Sequence, residues 1–274
     1  MANMDDPNKK PPGPPYKPNY LPRGTDFPHE FQETPYSCGA ATFTMAYRSL
    51  GHDILQKDVL KKVTVTRTGG PTCIVWLEIL DSLSRGFDTL YLRAVNPLEM
   101  IKSCLKNNVR AITHERAYLL SVVGHSTLIV GIDEEHVYQH CPSLGPNQAT
   151  KHNHLLELMA SVGNMPSSWG NRITLISNPI SEKYTCQVCG KEIPEFVTCP
   201  HCNKIIRLAP AAPLGCFEEL CIGRAWMDIT CPWCFKGIRQ LYKPSEEEGM
   251  PQEEFEKSVA ERKKQQEETV LITD

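Results

Sequence analysis

No stretch of this 274-residue chain supplies the roughly 18–20 consecutive apolar residues that a membrane-spanning helix needs. Its N-terminus reads Met-Ala-Asn-Met-Asp-Asp and then prolines, without the apolar core of a signal peptide. An excess of one charge is also missing. Twenty-nine basic against 32 acidic side chains leave a net of -3, so no overall field favours nucleic acid or an anionic membrane. Spanning and secretion are therefore not expected, and the expected location is cytoplasmic. What the chain does have, at a length that fits one medium domain plus a smaller one, is cysteine.

Eight of the 12 cysteines crowd into the 49 residues from Cys186 to Cys234. In a reducing compartment such a cluster holds metal more often than disulfides. Cys186-x2-Cys189-x9-Cys199-x2-Cys202 is followed by Cys216-x4-Cys221-x9-Cys231-x2-Cys234, with the same nine-residue spacer in each half. Each short turn offers two thiolates, and two turns close a four-sulfur tetrahedral site. The spacing predicts one site from the first four cysteines and a second from the last four, with strands before Cys199 and Cys231. A tandem zinc ribbon holding two structural Zn2+ ions is the expectation, and iron–sulfur ligation is the other four-thiolate chemistry. The surrounding Lys191, Lys204, Arg207, Arg224, Lys236 and Arg239, with Trp226, Trp233 and Phe235, suit docking to a protein partner better than binding nucleic acid.

The flanks are different in kind. Residues 1–24 form a Pro-rich, flexible tail, since seven of the 22 prolines fall in the first 23 positions. Residues 244–274 hold ten acidic and four basic side chains and read as a solvated acidic tail. Between them, residues 25–180 open with helices and continue with strands, an α+β order. Cys38–Leu50 is a mostly apolar helix that stops at Gly51; further helices run over 74–84 and 98–106. Short β-rich runs follow at 110–114, 126–133, 136–140 and 171–176. Residues 181–243 are the cysteine module.

Cys38 stands at the first turn of its helix, where the dipole favours a thiolate, and Gly39 after it leaves room for a substrate backbone. Gln32, six residues earlier, can aim an amide at the same spot. Gly124-His125 opens a strand, the placement from which a histidine can serve a thiol as base. His152 and His154, in a polar stretch, read as solvated.

Gln32-x5-Cys38-Gly39-Ala40-Ala41, then Thr68-Gly69-Gly70-Pro71-Thr72, Asn96-Pro97-Leu98-Glu99, Gly124-His125 and Val130-Gly131-Ile132-Asp133 resemble, in order and spacing, the papain-like peptidases that process bacteriocin leader peptides at double-glycine sites. The resemblance covers about residues 30–160. It implies a papain-like α+β fold and a peptide or protein substrate. It also assigns Cys38 as nucleophile, His125 as base and Gln32 to the oxyanion hole. The family has an aspartate followed by proline sixteen residues after the histidine. Here that place is Cys141-Pro142. A thiol orients histidine poorly compared with a carboxylate, so two readings stay open: a peptidase, and a silent descendant acting as a scaffold or accessory subunit.

Overall fold

The computed structural model describes residues 27–67, 70–116, 124–160 and 170–239. The expected tails, and Thr68-Gly69 of the Gly-Thr stretch, lie outside the described residues. The helices are α1 (Cys38–Ser49), α2 (Gln56–Val63), α3 (Val75–Ser84), α4 (Pro97–Lys106) and α5 (His152–Met159). The strands are β1 (Thr64–Arg67), β2 (Gly70–Cys73), β3 (Asp88–Ala94), β4 (Arg110–Arg116), β5 (Gly124–Ile132), β6 (His136–Cys141), β7 (Gly145–Lys151), β8 (Arg172–Ser177), β9 (Phe196–Thr198), β10 (Ile205–Arg207), β11 (Trp226–Thr230) and β12 (Gly237–Ile238).

Eight strands make one sheet in the order β12-β11-β3-β8-β4-β5-β6-β7, every neighbouring pair antiparallel. β1–β2 and β9–β10 are separate hairpins. Both faces of the central strands are covered, and strict alternation divides their apolar side chains between two cores. Ile112, Leu128, Val130 and Ile176 meet Phe43, Ala46 and Tyr47 of α1. Ala111, Ile129, Ile173 and Leu175 face the other way, toward Met100 and Ile101 of α4 and Leu155 and Met159 of α5. The α+β expectation holds.

α1 is fixed to the sheet at both ends. Near its start, Thr42 Oγ1 donates to the Ser126 carbonyl at 2.9 Å. At its end the buried Arg110 of β4 donates to Ser49 through Nε (Oγ, 2.6 Å) and Nη2 (carbonyl, 2.7 Å), a cation placed where the helix dipole is negative. A 12-residue helix spans about 18 Å, so two anchors set its direction and hold its N-terminus beside the start of β5.

Residues 181–239 are not a detached module. β11 pairs with β3 through Trp226↔Ala94, Asp228↔Arg93 and Ile229↔Leu92, which extends the sheet at its edge. Ile193, Val197, Ile206, Leu214 and Trp226 belong to the same core as Leu92, Met100 and Ile101. Arg172 of β8 binds Asp228 at 2.9 Å and Thr230 Oγ1 at 2.8 Å, sealing the seam with a charged pair.

Candidate active site and metal centres

Ser37 is the residue before α1, and its hydroxyl closes a local loop with Thr34, accepting from its N–H at 2.8 Å and donating to its carbonyl at 3.0 Å. That loop leaves the N-terminal turn of α1, with Cys38 at its head, free of a side-chain cap. His125, the second residue of β5, lies beside it. Its Nε2 is 3.2 Å from Cys141 Sγ, and Cys38 is near enough for its thiol to favour a charge on the same ring. Cys141 Sγ in turn meets Ser143 Oγ at 3.2 Å. Three of the expected residues, Cys38, His125 and Cys141, are therefore brought together, with the histidine in the middle.

Burial opposes a charge on His125, but the hydrogen bonds and negative charges of Cys141 and Cys38 outweigh it and push its pKa up to about 10. Burial raises the Cys141 thiol, and the bonds from His125 and Ser143 more than reverse this, so it titrates below an ordinary thiol. The two shifts describe one preference, for imidazolium beside thiolate.

Gln32 is at the rim. Its backbone N–H donates to the Pro142 carbonyl at 3.0 Å, next to Cys141, while His29 Nε2 lies 3.0 Å from the Cys141 carbonyl. Its side-chain amide donates to Thr34 O at 2.8 Å, so in this conformation the N–H is committed to that carbonyl.

The expected role of Gly39 needs correction. A Cβ on Gly39 would fall on Oε1 of Glu78 from α3, so the missing side chain makes room for a carboxyl of the protein itself rather than for substrate. Glu78 is fully buried, which pushes its pKa up to about 8 and keeps it neutral near pH 7. Ionised, it would repel a thiolate at the helix start. Beside it, burial first and then the Glu78 charge raise the Cys73 thiol strongly. His154 is exposed, as expected; His152 is half-buried on α5.

The eight module cysteines form two tetrads, but not the two that spacing predicts. Cys186, Cys189, Cys216 and Cys221 make one; Cys199, Cys202, Cys231 and Cys234 make the other. The reason is mechanical. β9 and β10 form a hairpin with Cys199 and Cys202 at its tip, and β11 and β12 another with Cys231 and Cys234 at its tip. Each nine-residue spacer ends in a strand, β9 or β11, that carries the chain from one turn to the next, and the turns it joins belong to different tetrads. Each turn takes its partner from the other half of the module.

Within a tetrad the sulfurs approach to 3.5 and 3.8 Å in the first and 3.7 and 3.8 Å in the second. A tetrahedral ion with thiolate bonds of about 2.3 Å needs sulfurs about 3.8 Å apart, so the donor set fits. Backbone N–H groups of Val188, Gly223 and Trp233 point at Cys186, Cys221 and Cys231 sulfurs at 3.4 Å, the kind of support that thiolate ligands use. Both tetrads can hold a metal ion.

No protein-family model matches the sequence, and neither does any curated protein. Among solved structures, the chain overlaps a double glycine motif protease from an AMS/PCAT transporter in complex with its leader peptide, at 15% identity and a TM-score of 0.42, covering 58% of this chain and 97% of that one. It overlaps the peptidase domain of Streptococcus ComA, a bifunctional ABC transporter of a quorum sensing pathway, at 11% identity and 0.43, covering 56% and 100%. A C39-like peptidase from Bacillus anthracis gives 12%, 0.43, 56% and 96%.

Proposed function

We propose that this chain is a papain-like cysteine peptidase that cleaves a peptide bond with Cys38 as nucleophile. The observation that carries the reading is His125 held between two thiols, Cys38 at a helix start and Cys141 at 3.2 Å. The Cys38 thiolate, beside the His125 imidazolium, attacks the substrate carbonyl carbon, and the imidazolium gives its proton to the leaving amine. Water then hydrolyses the acyl-enzyme with His125 as base. The Cys38 N–H and the Gln32 amide, once rotated off Thr34, supply donors to the oxyanion. Cys141, hydrogen-bonded by Ser143, takes the place of the orienting carboxylate as a thiolate.

The tetrads favour zinc, because closed four-thiolate sites of this geometry leave no coordination position for chemistry. Two structural Zn2+ ions then act as cross-links within residues 181–239, and the exposed part of that module, with Leu220 and Ile222 almost fully exposed, is where a protein partner docks. We place the chain in a reducing compartment, since in this reading eight of its 12 thiols hold metal and the other four stay free. Among the described residues no helix is long and apolar enough to cross a membrane.

Cys141 also supports a second reading, a catalytically silent scaffold. Turnover of a fluorogenic peptide library by the wild type and by Cys38→Ala separates the two. Cleavage lost in Cys38→Ala supports the peptidase; no cleavage by wild type, with Cys38 alkylated no faster than the other thiols, supports the scaffold.

A further inference from the structure

With a thiol at position 141, no carboxylate is hydrogen-bonded to His125 among the described residues. One carboxylate nevertheless shares its side of the sheet. Glu115 of β4 is the direct cross-strand partner of His125, which places the two Cβ atoms about 5 Å apart on one face. It is 5% exposed. Its Oε1 accepts from Thr127 Oγ1 at 3.0 Å and from Gln139 Nε2 at 3.2 Å. Gln139 is itself held, its Nε2 also reaching Thr127 Oγ1 at 2.7 Å and its Oε1 accepting from Thr150 at 2.8 Å. Oε2 is buried with no hydrogen-bond partner among the described residues.

Among the described residues, both groups that hydrogen-bond this carboxyl, Thr127 and Gln139, are neutral. A buried carboxyl in that state is stable either protonated or facing a cation. The neighbouring charges reduce the choice. Arg116, next in sequence, is directed to the carbonyls of Glu157 and Leu158 on α5. Glu157 is exposed. His114 points through the sheet to Thr174 and Ser126. On Glu115 itself, burial raises the pKa to about 7, and the charge of His125 is the first of the influences that lower it. The polar clamp of Thr127, Gln139 and Thr150 thus holds one carboxylate oxygen still, while the other has no hydrogen bond among the described residues and the carboxyl feels the charge of His125 across the strand pair.

We propose that Glu115 is a positioning residue for His125, a buried anion that stabilises the imidazolium from across the strand and so shares the duty that Cys141 performs in place of a carboxylate. It touches neither substrate nor Cys38 and acts only through the histidine. The inference rests on the peptidase reading, but its test does not need a substrate.

The ring of His125 is titrated by NMR in the metal-loaded full chain, alongside the rate at which iodoacetamide labels Cys38, read by mass spectrometry of its peptide. Glu115→Gln keeps the volume and both hydrogen bonds and removes the charge. The expected result is a His125 titration about one unit lower, with the pH profile of Cys38 labelling displaced the same way between about pH 9 and 10. Glu115→Asp restores part of both. A merely structural Glu115 moves neither curve, and superimposed titrations in folded Glu115→Gln overturn the proposal. Should that variant fail to fold, Thr127→Val removes one donor to the carboxylate and is expected to shift His125 the same way by less; no shift there overturns it equally. If the wild type cleaves no peptide while Glu115→Gln still lowers the His125 titration, the peptidase reading falls and the role of Glu115 stands.

Discussion

Phe235 stacks on Tyr91 with ring centroids 5.9 Å apart and planes only 10° from parallel. Phe235 directly follows Cys234, and its φ of 57° is set by the turn that carries that ligand; Tyr91 lies on β3 in the large sheet. The same phenyl ring lies 6.3 Å from Trp76 of α3, two residues before the Glu78 that fills the space beside Gly39. One metal tetrad is therefore joined to the turn bearing Cys38 by side chains in contact: Phe235, Trp76, then α3 with Glu78. The second tetrad serves the Cys38-bearing half of the molecule as a buttress.

The interleaved pairing of the tetrads has a direct consequence for metal content. Elemental analysis is expected to give two zinc ions per chain. Cys199→Ser combined with Cys231→Ser should cost one ion, because both ligands serve the same site, whereas Cys199→Ser with Cys189→Ser should cost both. Sequential pairing makes the opposite assignments, so the two double variants decide between them.

Loss of the second ion should not stay local. Because β11 pairs with β3 and the tetrad lies in the same core as Leu92 and Met100, removing metal from Cys199, Cys202, Cys231 and Cys234 is expected to lower the melting temperature of the whole chain in a single transition. Cys231→Ser should behave alike and slow alkylation of Cys38. Two transitions in calorimetry, with the residues before 180 melting unchanged, would show the module to be independent.

Much of the architecture is visible before any coordinates. The Cys38 helix is apolar and ends at Gly51, and the runs at 126–133, 136–140 and 171–176 are β-branched, so β5, β6 and β8 emerge where local chemistry places them. β3 does not, because Thr89, Leu90, Tyr91 and Leu92 are all buried and no alternation marks them. β7 is Gly-Pro-Asn-Gln-Ala-Thr-Lys, a polar edge strand that exists because β6 offers it a ladder. Cys38, His125 and Cys141 are legible by type and spacing. Glu115 and Glu78 are not, since what gives each its meaning is a register or a packing contact, Glu115↔His125 in one case and Gly39 in the other.

Glu78 gives a pH signature. Burial raises its pKa from 4.5 to about 8, so the folded state prefers it protonated. The stability this favours is complete below about pH 4.5 and is lost as pH rises through about 8. Glu78→Gln, neutral at every pH, should therefore match the wild type near pH 4.5 and exceed it in melting temperature at pH 8 and above. Glu115 bends the wild-type curve in the same direction, so the quantity to follow is the difference between the two proteins. A difference independent of pH would mean that Glu78 is already ionised in the fold.

Cys141 sets the sharpest test of the site. His125 has a pKa near 10 because two thiols share its ring, so the stability gained from that pairing is complete below about pH 6.5 and is lost as pH rises through about 10. Cys141→Ala removes one partner and should pull the histidine titration down, narrowing that window from its alkaline side. Cys141→Asp does the reverse for catalysis. It places a fixed carboxylate at the 3.2 Å contact with Nε2, where the charge no longer depends on a thiol losing its proton. Turnover is then expected to rise about tenfold or more, each ~1.4 kcal/mol of recovered transition-state stabilisation being a factor of ten. The gain should be largest at low pH, where the Cys141 thiolate is lost and an aspartate survives. If the site is silent, the same substitution adds a charge to a buried position, lowers the melting temperature and yields no cleavage. Comparing kcat/KM and melting temperature for wild type, Cys141→Asp and Cys38→Ala at pH 5.5 and 7.5 separates these outcomes, and equal activity of wild type and Cys141→Asp at both pH values would mean that the thiolate already performs the full orienting role.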